Sequence, residues 1–168
     1  MAYRRFKVRN VDLYAGDMFA KQLDLATDVR ISPNTKIRDC AMYLFGNKIA
    51  EWGTGHELFF NLCGWGTLTT RARLDGILEQ LRNKRLLSPV AHRMYLSQRN
   101  HEQWIDYFEH SDNNSRNIRV SQRVPIRGFF SPWQFAKKAS LACYDLRGGH
   151  KEQWTTIKFE DTLPVVYT

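Results

Sequence analysis

The side chains best placed to do chemistry sit together in the second half of the chain: Arg119, Arg123 and Arg127, then Phe129, Phe130 and Trp133, then Lys137 and Lys138. On an extended segment the three guanidinium groups fall on one face and can contact successive phosphates, while exposed rings stack on unpaired bases. The chemistry implied is sequence-tolerant, salt-sensitive binding of nucleic acid, with single-stranded DNA or RNA favoured. The competing reading is a solvated strand face whose aromatics pack inward. Phe129 and Phe130 leave a strand on opposite sides, so at least one of them belongs to the core.

A second constellation, Thr69, Thr70, Arg71 and Arg73, stands where a helix should begin. Hydroxyls, free amides and guanidinium groups at a helix start can hold an anion. Capping alone accounts for the same threonines.

Other chemistry finds little support. The five histidines are scattered, and His101 and His110 are too far apart to stack as a metal pair on one helix face. There is no nucleophile elbow and no Walker phosphate loop, and Gly64-Trp65-Gly66 lacks the third glycine and the ribose-binding acid of a dinucleotide fingerprint. The pairs Asp106 with Glu109 and Glu160 with Asp161 read as solvated faces. Cys40, Cys63 and Cys143 are odd in number, lack Cys-x-x-Cys spacing and read as reduced, buried thiols. The expectation is a non-enzymatic protein with neither cofactor nor metal.

The elements that must position these residues follow from periodicity and turn chemistry. Residues 3–13 alternate basic and apolar types as a strand does, and residues 16–26 read as a short helix. Ser32-Pro33-Asn34 is a turn, and two apolar runs around Gly46-Asn47 form a hairpin. A strand over 57–63 leads to a helix over 67–85, with Leu74, Ile77, Leu78 and Leu81 on its inner stripe and Arg71, Arg73, Glu79 and Arg82 off it. Trp65 is expected to anchor the turn between them. Ser88 and Pro89 open a second helix, expected to run to His110 with Ala91, Met94, Tyr95, Trp104, Ile105 and Phe108 inward.

After a loop at 111–115, residues 117–127 read as a strand that Pro125 makes an edge or breaks. It places Ile118, Val120, Val124 and Ile126 opposite Arg119, Ser121, Arg123 and Arg127. Ser131, Pro132 and Gln134 form a capping box for a third helix that carries Phe135, Ala139, Ala142 and Cys143 inward and ends at Gly148-Gly149. Strands at 154–159 and 163–167 close the chain. Strands and helices mix without a βαβ repeat, which predicts one α+β domain over 1–168, an antiparallel or mixed sheet packed with about three helices.

Composition agrees with a folded domain. The 168 residues are 43% hydrophobic and 13% aromatic, enough to build a core without staples. The net charge of +8 is concentrated in residues 84–151, with 12 basic and 5 acidic side chains, and within them the basic segment 116–138 stands out. Such an excess attracts nucleic acid or an acidic protein surface. No apolar run is long enough to span a membrane and no signal-peptide core is visible, so the expected setting is cytoplasmic, without a membrane partner.

One block has the order of a family signature. Gly46, Asn47, Ile49 and Ala50, followed by Gly64, Trp65, Thr67, Thr69, Thr70, Arg73 and Leu74, resemble a group of tailed-bacteriophage proteins with a Gly-Asn-x-Ile-Ala hairpin and a Gly-Trp-x-Thr-x-Thr-Thr-x-x-Arg-Leu stretch. The resemblance covers residues 40–82. It implies a phage setting, hence a bacterial host cytoplasm, and no catalytic residues; Asp75 stands where many such sequences carry Asn. Two functions follow as expectations: a phage accessory protein that binds nucleic acid through the arginine strand, or an inhibitor that docks its basic face on a host defence or transcription protein.

Overall fold

The computed structural model describes residues 8–21, 28–84, 93–111, 116–146 and 154–166. Short strands build the first sheet: β1 (Val29–Ser32), β2 (Thr35–Arg38), β3 (Ala41–Leu44) and β4 (Asn47–Trp52), joined by two-residue turns, and β5 (Leu58–Phe60), reached through a 3-10 turn at Thr54–His56, antiparallel and in sequence order. β2 alternates cleanly, with Thr35 and Ile37 buried and Lys36 and Arg38 exposed, so one face of the sheet is core and the other wet. The β2–β3 and β3–β4 turns place Asp39, Cys40, Phe45 and Gly46 at positive φ, the geometry that suits the right-handed twist of a hairpin. The second hairpin turn is therefore Phe45-Gly46, one residue earlier than Gly46-Asn47, and Leu44 pairs with Asn47.

The second sheet has the order β6 (Arg93–Arg99), β7 (Glu102–Ser111), β8 (Arg116–Arg123) and β9 (Trp154–Thr162). Its first two pairings are antiparallel, and β8 and β9 run parallel. A parallel pair needs a crossover, and helix α3 (Pro132–Leu146) lies on that connection. With α1 (Asn10–Ala20) and α2 (Leu68–Asn83) the fold is α+β, with three helices and two sheets. One cluster of buried side chains draws on both sheets and all three helices. The first sheet is tied to the segment between β8 and α3 where Phe60 of β5 and Phe130 exchange two backbone hydrogen bonds of 2.9 Å, their rings edge to face.

Several expectations change. Residues 93–110 form the β6–β7 hairpin in place of a second helix, turning at Asn100-His101 with both φ values positive. Gln103, Trp104, Ile105, Asp106 and Tyr107 are all buried, so β7 is covered on both faces and loses the period of two that marks a strand. Residues 10–13 open α1 and do not continue a strand, while 3–7 and 88–92 lie outside the described residues. β8 stops at Arg123, before Pro125, and is an inner strand. Residues 163–166 are extended chain pinned by Leu163 N–H to Arg123 O and Val166 N–H to Phe129 O. All three cysteines are free thiols, but Cys40 and Cys63 are half-buried and only Cys143 is in the core.

Helix α2 follows its sequence closely. The Thr67 hydroxyl accepts from Thr70 N–H, and Leu74, Ile77, Leu78 and Leu81 are all buried. Its contact with α1 runs through Gly16 and Gly76: a Cβ on either would strike the other helix's backbone. That close approach brings Asp12 of α1 to Arg73 of α2.

Candidate functional site

Arg119 and Arg123 lie on the face of the second sheet turned away from the shared core, in register with Phe108 and Trp104 of β7. This face is already internally paired. Arg123 contacts Glu102 at 3.5 Å and the Glu160 carbonyl at 3.1 Å, and buried Asp106 accepts from Ser97, Arg99 and Ser121. Trp104 is buried beneath two cations, with Arg99 and Lys158 at 5.2 and 5.0 Å from its ring. Arg127, beyond Pro125, is exposed and rests its guanidinium against Gly64.

The aromatics that follow do not offer stacking faces. Phe129, Phe130 and Trp133 are all buried, Phe130 in the bridge to β5 and Trp133 with its indole N–H on the His56 carbonyl. The physical reason is that α3 packs against β5 and β8 through this segment, so its rings fill the seam between the sheets. Lys138 pairs with Asp161 at 3.2 Å and covers the Phe159 ring, while Lys137 is exposed. Ser131 caps α3 as expected, with Gln134 N–H donating to Ser131 Oγ at 3.3 Å.

The start of α2 is likewise committed inward. Arg73 is buried, ion-paired to Asp12, and it donates to Thr35 Oγ1 at 2.9 Å and Asn34 Oδ1 at 3.3 Å. It does not fall off the apolar stripe onto the surface as expected, because Asp12 meets it there. Arg71 donates to the Gly66 carbonyl and to Gln98 and Gln103; burial lowers its pKa, partly offset by the charge of Asp75. Thr70 is buried and hydrogen-bonded to Thr67, and Thr69 is half-buried. Asp75 is buried and accepts the Leu96 amide at 2.8 Å, joining α2 to β6.

Exposed rings lie elsewhere: Tyr14 on α1, Tyr144 on α3, and a pair, Phe45 and Trp65, that share one pocket. Phe45 is 71% and Trp65 61% exposed, and both line one pocket of about 300 Å³ together with Leu44, Asn47, Ile49, Leu62, Cys63, Thr67 and Thr70. Trp65 therefore does not anchor its turn; the backbone bond from its amide to the Leu62 carbonyl does. Burial pushes the Cys63 thiol pKa up, and its Sγ bonds the Lys48 carbonyl.

On the other side of Phe45 a cleft of about 380 Å³ is lined by Asp28, Arg30, Pro33, Asn34, Lys36, Arg38, Tyr43 and Gly46. Register places Arg30, Lys36 and Tyr43 side by side on the wet face of the first sheet. Asp28 contacts Lys36 at 3.3 Å and Arg38 at 3.6 Å, and Arg38 also covers the Tyr43 ring. Three exposed cations face one lining carboxylate. In the chain these cations span nine residues, as Arg119, Arg123 and Arg127 do, but the Ser32-Pro33-Asn34 turn interrupts them, and only the pairing of β1 with β2 sets Arg30 beside Lys36. The signal available was Phe45 itself, since an aromatic at the tip of a two-residue turn cannot reach the core.

A family model described as Kyanoviridae Gp96 protein matches residues 11–117. The chain belongs to this tailed-bacteriophage protein family. The Gp96 match takes in α1 from Val11 onward, the whole first sheet, α2, β6 and β7, and so every residue of the pocket and the cationic cleft. No curated protein and no solved structure matches the chain. Among the described residues no helix is long and apolar enough to cross a membrane, and no group of three or more metal-ligating side chains converges.

Proposed function

We propose that this phage protein is a non-enzymatic accessory protein that binds single-stranded nucleic acid at the tip of the β3–β4 hairpin. One observation carries the reading: two rings more than half exposed, Phe45 and Trp65, stand beside a cleft holding Arg30, Lys36 and Arg38. Stacking platforms next to a cationic groove are the parts that sequence-tolerant strand binding requires. The chemistry is the one read from the arginine strand; the place differs, because the rings beside that strand are buried.

A second reading, an inhibitor that docks on an acidic host protein, draws on the same surface. Leu68, three residues beyond Trp65 in the chain, is 56% exposed, and the cations would steer association. Fluorescence anisotropy with labelled single-stranded oligonucleotides tests the first reading. Phe45→Ala and Trp65→Ala should each weaken binding by about five- to 150-fold, the range for losing one base–aromatic stack. Wild-type protein that ignores oligonucleotides, but captures one host protein in a nuclease-treated pull-down and loses it in both variants, would reverse the ranking.

A further inference from the structure

Resting on that reading, we infer that the pocket walled by Phe45 and Trp65 receives one unpaired base of the bound strand, while the cations of the cleft across Phe45 hold the adjoining phosphates. The pocket's size sets the class of ligand. At about 300 Å³ it stands at the lower end of ligand sites and has room for a nucleobase.

Its lining sets the chemistry. Leu44, Ile49 and Leu62 give apolar walls, two aromatic rings stand at the mouth, and no charged side chain lines it. An anion would lose its hydration there without a partner, so the phosphate is excluded from the pocket. The cations lie next door, with Phe45 as the shared wall.

The polar groups in the pocket are few and mostly occupied. Thr67 Oγ1 accepts the Thr70 amide, and Cys63 Sγ bonds the Lys48 carbonyl at 3.2 Å. Asn47 is exposed at the start of β4, and its amide presents a donor and an acceptor together. A flat, neutral ring with donors and acceptors along its edge suits that set, and a base attached to a sugar-phosphate chain is such a ring with a charge at a fixed remove. Asn47 is then the group that discriminates between bases.

Cys63 reports on occupancy because its thiol lines the pocket. Alkylation of Cys63 by N-ethylmaleimide would be followed by peptide mass spectrometry, with the full chain at a strand concentration ten times the measured Kd. An intact oligonucleotide should slow modification about tenfold, as expected from the fraction of sites left empty. An abasic strand of the same length should bind through the cleft and leave Cys63 unprotected. Asn47→Ala should weaken the best-bound homopolymer strand most and so narrow the spread of affinities among the four.

Equal protection by intact and abasic strands, or tight binding of intact strands with Cys63 modified at the free rate, would overturn the pocket assignment and leave strand binding standing. Failure of every strand to bind would overturn both.

Discussion

Replacing Asp12 by Ala removes the one carboxylate that compensates a buried guanidinium. Asp12 is 0% and Arg73 3% exposed, and the residual partners of Arg73 would be the neutral oxygens of Thr35 and Asn34. Breaking a buried pair from one side costs about 3–5 kcal/mol. Asp12 also accepts the Arg9 amide at 2.9 Å at the start of α1, worth about another 1 kcal/mol. A total of about 4–6 kcal/mol, divided by a urea m-value of about 2 kcal/mol/M, should move the unfolding midpoint down by about 2–3 M. Urea titrations followed by tryptophan fluorescence would read it. Asp12→Leu combined with Arg73→Met should recover much of the loss, because no uncompensated charge is left. A loss below about 1 kcal/mol for Asp12→Ala would refute the reasoning, since only a hydrated pair is that weak.

Two further predictions concern the same frame and the pocket. Gly76→Ala should destabilise by about 1–3 kcal/mol or more, because its Cβ meets the Asp12 carbonyl across the helix contact; thermal melts would show it, and an unchanged Tm would place the helices further apart. Burial disfavours the charged form of Cys63, so its pKa is raised, and its alkylation rate should still be climbing at pH 9, where an ordinary thiol with pKa about 8.5 is levelling off. A rate–pH curve for the Cys63 peptide that flattens below pH 8 would contradict this.

What could be read from the chain was local. The Thr67 cap, the Leu74, Ile77, Leu78 and Leu81 stripe, and the Ser131–Pro132–Gln134 start of α3 depend on residues within a turn or two of each other, and all stand as expected. What could not be read depended on distant partners. Arg73 looks like a surface cation until Asp12, 61 residues away, is packed against it through two glycines. β7 looks helical because the core covers one of its faces while Arg99 and Lys158 cover Trp104, and Ser97, Arg99 and Ser121 surround Asp106, on the other; burial on both sides erases alternation. Phe129, Phe130 and Trp133 look available for stacking, but the seam between the two sheets needs them. The hairpin tip was legible as a turn; its pairing with Trp65 and with the cations of β1 and β2 is a product of topology.

The most direct test is the salt dependence of single-strand binding in two triple variants. Three phosphate contacts predict a slope of log K against log salt of about −2, a loss of roughly twentyfold between 50 and 200 mM salt. Arg30→Ala, Lys36→Ala and Arg38→Ala together should abolish most of that slope, while Arg119→Ala, Arg123→Ala and Arg127→Ala together should leave it unchanged. The opposite pattern, with the slope kept in the first triple variant and lost in the second, would contradict the hairpin-tip site and return the interface to the arginine strand.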